Sequence, residues 1–397
     1  MQEVFIVSAA RTPFGKFGGL LKDFSAIDLA TKAVLASMKK INLAPSLVDE
    51  VYMGVAVLAG VASVAARQIL FTCGLPPTTP SLTIDRACCS STTCIGLGWR
   101  NIGHGHINTA IVGGMEAMSQ TPLIARGIRW GIRLGGLMLE DPLFLRNPIL
   151  NIPLAVGAAE VALQYGVSRE EQDQWALRSH QRYFSAWEAG KIKDEIEPLE
   201  IQTGKGKTCW VDRDECPRPD TNMEKLQALP TVYGSKTITA GNAPGLGDGA
   251  SALVLMSEGK HKELGLEPLA KVLTYVNIAG DPLSSPYLPA QAIQKALKVL
   301  GRKLRDLRLL EINEAFAATP LVSTQVLSKE NAMTLAELRE ITNVNGGAVA
   351  IGHPTGASGG RIVMTLIHEL RRRGGGLGAA AICGGYGQSD AIIVEVE

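Results

Sequence analysis

Three residues far apart in the chain carry side chains that could do chemistry together: Cys88, His353 and Cys383. Each lies among small residues, in TIDRACCSST, NGGAVAIGHPTGASGG and AICGGYGQ respectively. Such runs let backbone N–H groups come close to a ligand. Two thiols and an imidazole in one pocket can combine acyl transfer with proton transfer at carbon, the pairing needed to make or break a C–C bond beside a thioester. Asn313, at the end of a strand pattern, could hold a water or a substrate oxygen, and N–H groups beside Gly385 could hold an oxyanion. Each position also has a plain structural reading. Free cysteine is most often a buried packing residue, a lone histidine is more often surface or hydrogen-bonded core, and Asn313 could be an ordinary strand-end cap. A zinc site fits poorly, because C-C-x4-C lacks the usual two-residue spacing between ligands.

The elements that must position these residues follow from pattern. Strands are expected at Val4–Ala9, Val51–Val55, Ser81–Asp85 and Ala110–Gly113, with helices at Asp28–Lys39, Ala65–Cys73 and Cys88–His104. This alternation implies a mostly parallel, helix-covered sheet. Cys88 would then open a helix, whose N-terminal N–H groups and dipole would lower its pKa. From Ser119 to Ala240 strand signals fade. Ser168, with Glu171 three residues on, predicts a capped helix over Ser168–Ala189. Arg126, Arg129 and Arg133 among glycines should be exposed. Alternation returns with Gly249–Met256, a strand or a buried helix, and continues through a helix at Ala290–Leu300, a strand at Leu309–Asn313, a helix at Gly359–Arg373 and a strand at Ala379–Cys383. A short internal repeat, AIVGGM at 110–115 and AICGGY at 381–386, reads as two strands each breaking at a glycine pair and suggests two similar halves.

The totals bound the rest. A chain of 397 residues, 46% hydrophobic and 19% charged, has the composition of a globular protein of two or three packed units. A formal charge of +1 gives no global signal for nucleic acid or a membrane surface. No apolar run is long enough to span a bilayer. The seven cysteines are odd in number and no signal peptide is visible, so a reducing cytoplasm is the expected setting. The terminal AIIVEVE reads as a strand and not as a targeting tail.

Taken in order, SAARTPFGKFGG at 8–19, GGMEAMS at 113–119, SREEQDQWALRSHQR at 168–182, DECPRPDT at 214–221, TAGNAPGLGDGA at 239–250, INEAF at 312–316, NGGAVAIGHPTGASG at 345–359 and CGGYG at 383–387 resemble the thiolase family over essentially the whole chain. The resemblance implies two similar α/β halves in a five-layer αβαβα core with an inserted loop domain, here divided as 1–119 plus 242–268, 120–241 and 269–397. It implies an acyl-enzyme on Cys88, with His353 as its activator. His353 and a water on Asn313 would hold the acetyl-CoA enolate. Cys383 would be the acid/base at C2, and the N–H groups of Cys88 and Gly385 would form a second oxyanion hole. Implied coenzyme A contacts are Arg218, Ala243, Pro244, Gly245, Ala315 and Phe316. Coenzyme A is a substrate, and no tightly bound cofactor or metal is implied. The partners would be acyl-CoA, CoA and further copies of the chain in a homodimer or homotetramer, with neither nucleic acid nor membrane.

The sequence also departs from the family pattern. Cys89 and Tyr386 stand where glycine is usual, Asp85 where asparagine is usual, and Pro244 where a serine commonly touches the pantetheine. NIPLAVGAAE at 151–160 replaces the usual acyl-pocket segment, and 328–342 reads as longer than usual. All of these are expected to fall on substrate or CoA contacts, pointing to a degradative thiolase for a 3-oxoacyl-CoA other than plain acetoacetyl-CoA, branched or aromatic. Three other readings stay open here. One is a thiolase subunit needing an accessory subunit, as in proteins resembling benzoylsuccinyl-CoA thiolase. Another is a related condensing enzyme, against which Cys383 with Gly385 argues. The third is a non-catalytic scaffold, which would be expected to lose one of the three side chains.

Overall fold

The computed structural model describes residues 1–132, 134–203, 206–329 and 333–397. Its main strands are β1 (Val4–Arg11), β2 (Glu50–Gly54), β3 (Ser81–Ile84), β4 (Thr109–Ala117), β5 (Gly247–Ser257), β6 (Ala270–Ala279), β7 (Leu307–Ile312), β8 (Gly376–Gly384) and β9 (Gln388–Val396). They run in the order β3-β2-β4-β5-β1-β6-β9-β8-β7. Within the sheet the two halves join where β1 meets β6, which pair at Phe5 with Lys271 and Ile6 with Ala270. The principal helices are α1 (Ala26–Lys39), α2 (Ala65–Thr72), α3 (Ser90–Gly103), α4 (Leu154–Gln164), α5 (Arg169–Glu188), α6 (Leu288–Leu300), α7 (Ala318–Lys329) and α8 (Thr355–Arg372).

Three apolar cores separate the layers. One lies under α1 and α2 on the outer face of the first half, and another lies under α6 on the outer face of the second. Between them the inner faces of both halves close on α3 and α8, with Ile95, Ile102, Leu253, Ile362, Leu366, Ile382 and Ile392 buried together. This is the five-layer α/β architecture, with α3 and α8 as the central layer. Small residues make that layer possible. Gly359 faces Thr92 and Ser91 of α3 so closely that a methyl group there would overlap them.

The sheet is mixed, not mostly parallel as expected. β2 pairs in parallel with β3 and β4, and β7 with β8. The pairs β1–β5, β4–β5, β1–β6, β6–β9 and β8–β9 are antiparallel. The reason is chain return: β5 re-enters beside β1 after the 120–241 region, and β9 folds straight back on β8 through a short turn. Gly249–Met256 is therefore strand. The glycine pair of AIVGGM does not end its strand either. β4 continues through Gly113 and Gly114 to Ala117, paired with β5 throughout. Helix α3 begins at Ser90, so Cys88 precedes it.

The Ser168–Glu171 capping box forms and starts α5. The 120–241 region is not strand-free: Leu199–Thr203 pairs with Lys207–Val211, and Arg146–Asn147 with Ile152–Pro153. Arg126 and Arg129 are exposed, Arg126 in an ion pair with Glu140; Arg133 lies outside the described residues. So does part of the 328–342 stretch, whose described portion includes a helix at Leu335–Ile341.

Candidate active site

Cys88 is presented by a tight turn between β3 and α3. Asp85 Oδ1 accepts the Ala87 N–H at 2.9 Å, and Ala87 takes a left-handed φ of 50°. Ser90 Oγ accepts the Arg86 N–H at 2.9 Å and donates to the Ala87 carbonyl at 2.6 Å. The N–H groups of Cys89 and Ser90 bond back to Arg86 and Ala87. Those helix-start donors are consumed by the turn and do not serve the thiol. The expected low pKa is accordingly reversed. Cys88 keeps some surface on a cleft, while its sulfur lies deep enough that burial pushes the thiol up, with Cys383 and Glu116 adding to it; its own backbone N–H acts the other way.

His353 occupies the matching place before α8. Its backbone N–H donates to the Gly245 carbonyl at 2.9 Å. Ser358 Oγ lies 2.6 Å from His353 Nδ1 and donates its own proton to the Pro354 carbonyl at 2.9 Å. Ser358 therefore accepts from Nδ1–H, which leaves the Nε2 lone pair free. Nε2 lies 3.2 Å from Cys88 Sγ and 3.4 Å from Asn313 Nδ2. Arg361 Nη2 donates to Asn313 Oδ1 at 3.3 Å and so aims its amide nitrogen at the imidazole. Burial, then the positive Arg361, hold the imidazole neutral, with a pKa lowered to about 3. The resting pair is a neutral thiol facing a neutral base.

Cys383, the penultimate residue of β8, opens on the same cleft as Cys88 and Gly385. Burial pushes its thiol up to about 12, partly offset by its own backbone N–H and by Thr319. The cleft, about 140 Å³, has largely apolar walls from Leu145, Ile152, Leu154, Leu283 and Phe316. Two thiols, Cys88 and Cys383, thus open with Gly385 on one largely apolar space, and His353 stands beside Cys88.

Residues 4–259 match the family model of the thiolase N-terminal domain, and 266–396 that of the thiolase C-terminal domain. The chain belongs to the thiolase family. It is 42% identical to the mitochondrial 3-ketoacyl-CoA thiolase of Homo sapiens, over 100% of this chain and 98% of the relative. It is 40% identical to an acetyl-CoA acetyltransferase of Chromobacterium violaceum, over 99% of each chain. The crystal structure of human mitochondrial 3-ketoacyl-CoA thiolase in complex with CoA superposes with a TM-score of 0.93 at 41% identity, covering 100% of this chain and 98% of that one. This thiolase is an acyltransferase with coenzyme A as a substrate.

The thiolase has a second cavity, of about 600 Å³, lined among others by Lys16, Phe17, His180, Arg218, Ala243 and Gly245. Arg218, Ala243 and Gly245 thus line one space, and Gly245 touches His353 through its carbonyl. Pro244 lines neither cavity, and Ala315 and Phe316 line the inner cleft instead. Two departures, Cys89 and Asp85, line neither cavity. Cys89 is fully buried, its thiol 3.5 Å from the Ile382 carbonyl, and Asp85 braces the turn that carries Cys88. Ile152, Pro153, Leu154, Gly157 and Ala158 of the 151–160 segment do line the cleft, as does Tyr386.

Sequence reasoning missed Ser358, Thr319 and Glu116. Glu116, within GGMEAMS, accepts from Thr355 Oγ1 at 2.5 Å and from the Gly356, Ala56 and Val57 N–H groups. It ties the end of β4 to the start of α8. The motif containing it is visible in the sequence, but its partners lie some sixty and two hundred and forty residues away. No group of three or more His, Cys, Asp or Glu suited to a metal ion occurs among the described residues, and no helix there is long and apolar enough to cross a membrane.

Proposed function

We propose that the enzyme cleaves a compact 3-oxoacyl-CoA with coenzyme A, giving acetyl-CoA and a shortened acyl-CoA, by way of an acyl group on Cys88. The observation that carries this is the 3.2 Å approach of His353 Nε2 to Cys88 Sγ in the cleft that also holds Cys383. As the sulfur attacks the C3 carbonyl, its proton passes to His353. The N–H groups of Cys88 and Gly385 take the tetrahedral oxyanion. The C2–C3 bond breaks, and the enolate oxygen of acetyl-CoA is held by the imidazolium and a water on Asn313. Cys383 delivers its proton to C2. Its thiolate then deprotonates incoming CoA, which attacks the Cys88 thioester; the C–S bond to Cys88 breaks, the departing sulfur takes the proton back from His353, and the shortened acyl-CoA is released. Burial favours this timing: a standing thiolate–imidazolium pair is costly in an apolar cleft, whereas charge that develops against placed donors is stabilised. Losing one such donor typically costs about 3 kcal/mol of barrier.

The division into 1–119 plus 242–268, 120–241 and 269–397 is part of this reading. It is supported by the return of β5 to the side of β1 and by the meeting of the halves at β1 and β6. Self-association is supported by edge strand β3, whose outer side has no strand partner among the described residues and which exposes Leu82 by 48%. A reducing setting such as the cytoplasm suits its seven free cysteines. The test is a thiolysis screen of the purified chain across short, long, branched and aryl 3-oxoacyl-CoAs. Turnover by the chain alone, with acetyl-CoA as product, is expected. Turnover only after a second subunit is added would replace this reading with the accessory-subunit one, and no thiolysis under either condition would overturn both.

A further inference from the structure

Tyr386 has a backbone that its side chain does not favour. Its φ is +63°, in the left-handed region where bulky residues are rare. The turn between β8 and β9 holds it there. The Gly280 N–H donates to the Gly387 carbonyl at 2.8 Å, Gln388 Nε2 donates to the Gly385 carbonyl at 3.3 Å, and a methyl on Gly387 would overlap the Asp281 carbonyl. The side chain stands at a boundary. The inner cleft of about 140 Å³ and an outer, open groove of about 600 Å³, walled by Glu140, Asp141, Pro142, Phe144 and Arg146, share two lining residues, Leu145 and Tyr386.

We propose that Tyr386 and Leu145 form the partition that ends the acyl cleft and set the upper limit of acyl-chain length. The inference rests on the thiolase reading above and names the substrate class of that site: 3-oxoacyl-CoAs whose acyl group ends short of this wall. An acyl group on Cys88 fills a cleft with apolar sides. A straight chain longer than the cleft must pass the phenol of Tyr386 and the Leu145 side chain to reach the groove. Glycine at 386 would both accept the left-handed backbone and join the two spaces. A strained tyrosine in its place is explained by what its ring blocks.

The test compares kcat/KM for straight-chain 3-oxoacyl-CoAs, from acetoacetyl-CoA to 3-oxopalmitoyl-CoA, in the wild type, Tyr386→Gly and Leu145→Ala. The wild type is expected to lose activity sharply with chain length. Tyr386→Gly should raise the ratio of long-chain to short-chain kcat/KM by about tenfold or more, the discrimination that an apolar pocket makes per methylene. Leu145→Ala should move the ratio the same way by less, and it decides the question if the first variant fails to fold. A wild type that takes long chains as readily as short ones, or ratios unchanged in the folded variants, would overturn the partition while leaving the thiolase reading intact. Failure of the wild type to cleave any member of the series would instead count against that reading.

Discussion

The two glycine pairs of the internal repeat look alike in sequence and do opposite work. In AIVGGM, β4 runs through Gly113 and Gly114, because β5 continues beside it and a methyl on Gly114 would overlap the Gly356 carbonyl at the start of α8. In AICGGY, β8 ends at Gly384, because β9 turns back, and the next glycine lines the cleft. Val112, fully buried, stands where the second copy has Cys383. The central helices differ in the same way. Cys88 and His353 each lie two residues before their helix, one a thiol and the other an imidazole, and the packing of α3 against α8 brings them together. One scaffold, used twice, brings Cys88 from its first half to His353 and Cys383 from its second. The site exists only where the two helix starts meet.

The sharpest way to break that comparison is to remove the chemistry from each half in turn. Cys88→Ser should lower thiolysis by about ten-thousandfold or more while the denaturation midpoint stays close to wild type. Cys383→Ser should lower exchange of the C2 protons of acetyl-CoA by about a thousandfold and still permit acylation of Cys88, detectable as a mass increase on the protein. Acylation of Cys88→Ser at the wild-type rate would put the nucleophile elsewhere. Equal loss of acylation and exchange in Cys383→Ser would mean that the two thiols do not divide the work.

Much of this contrast is legible in the amino-acid sequence. Cys88, His353, Cys383 and Asn313 stand out by residue type and small-residue context, and the fold brings all four into one place. Most strand and helix positions follow from period and capping, as Ser168 with Glu171 shows. What is not legible depends on distant partners. Nothing local says that Gly114 must leave room for the Gly356 carbonyl, so its glycine pair reads as a strand break. The helix start after Cys88 suggests a stabilised thiolate, because helix-end donors are a local rule; that the Arg86–Ala87 turn consumes them is a matter of packing. Ser358, which fixes the proton on the imidazole, has no signature beyond being a hydroxyl in a glycine-rich run. Cys89 and Asp85 depart from the family pattern visibly, but only the folded chain shows that Cys89 is buried against the Ile382 carbonyl and that Asp85 holds the turn before Cys88.

The second contrast sets the glycines directly against each other. Gly114→Ala forces a methyl group into a backbone oxygen at a helix start, which has no side chain to swing aside. We expect a loss of about 3 kcal/mol or more in unfolding free energy. Gly385→Ala places its Cβ 3.2 Å from the Ala87 Cβ, a contact that a small shift relieves. Stability should stay within about 1 kcal/mol of wild type, while kcat drops about tenfold as the N–H at 385 moves off the oxyanion position. Urea unfolding with kinetics on the same samples separates the outcomes. Two equal stability losses would mean that the pairs are equivalent after all.

The smallest effect tests the contrast between the two helix starts. Burial raises the Cys88 thiol and lowers the His353 imidazole to about 3, so both are neutral at rest. Thiolysis by folded enzyme should therefore show no acid limb near the ordinary histidine value of about 6.5. Stability carries the same information through linkage. Between that unfolded value and the folded value of about 3, the unfolded chain binds a proton at His353 that the folded protein does not. Unfolding free energy must then fall as pH drops through this window, by at most about 1.4 kcal/mol per pH unit from this group. His180 and His368 are also held low by burial and contribute in the same sense. The difference between wild type and His353→Asn isolates the imidazole. The variant should lose stability less steeply below pH 6.5, and identical slopes would mean that His353 is charged at rest, in a pair with a Cys88 thiolate formed before substrate arrives.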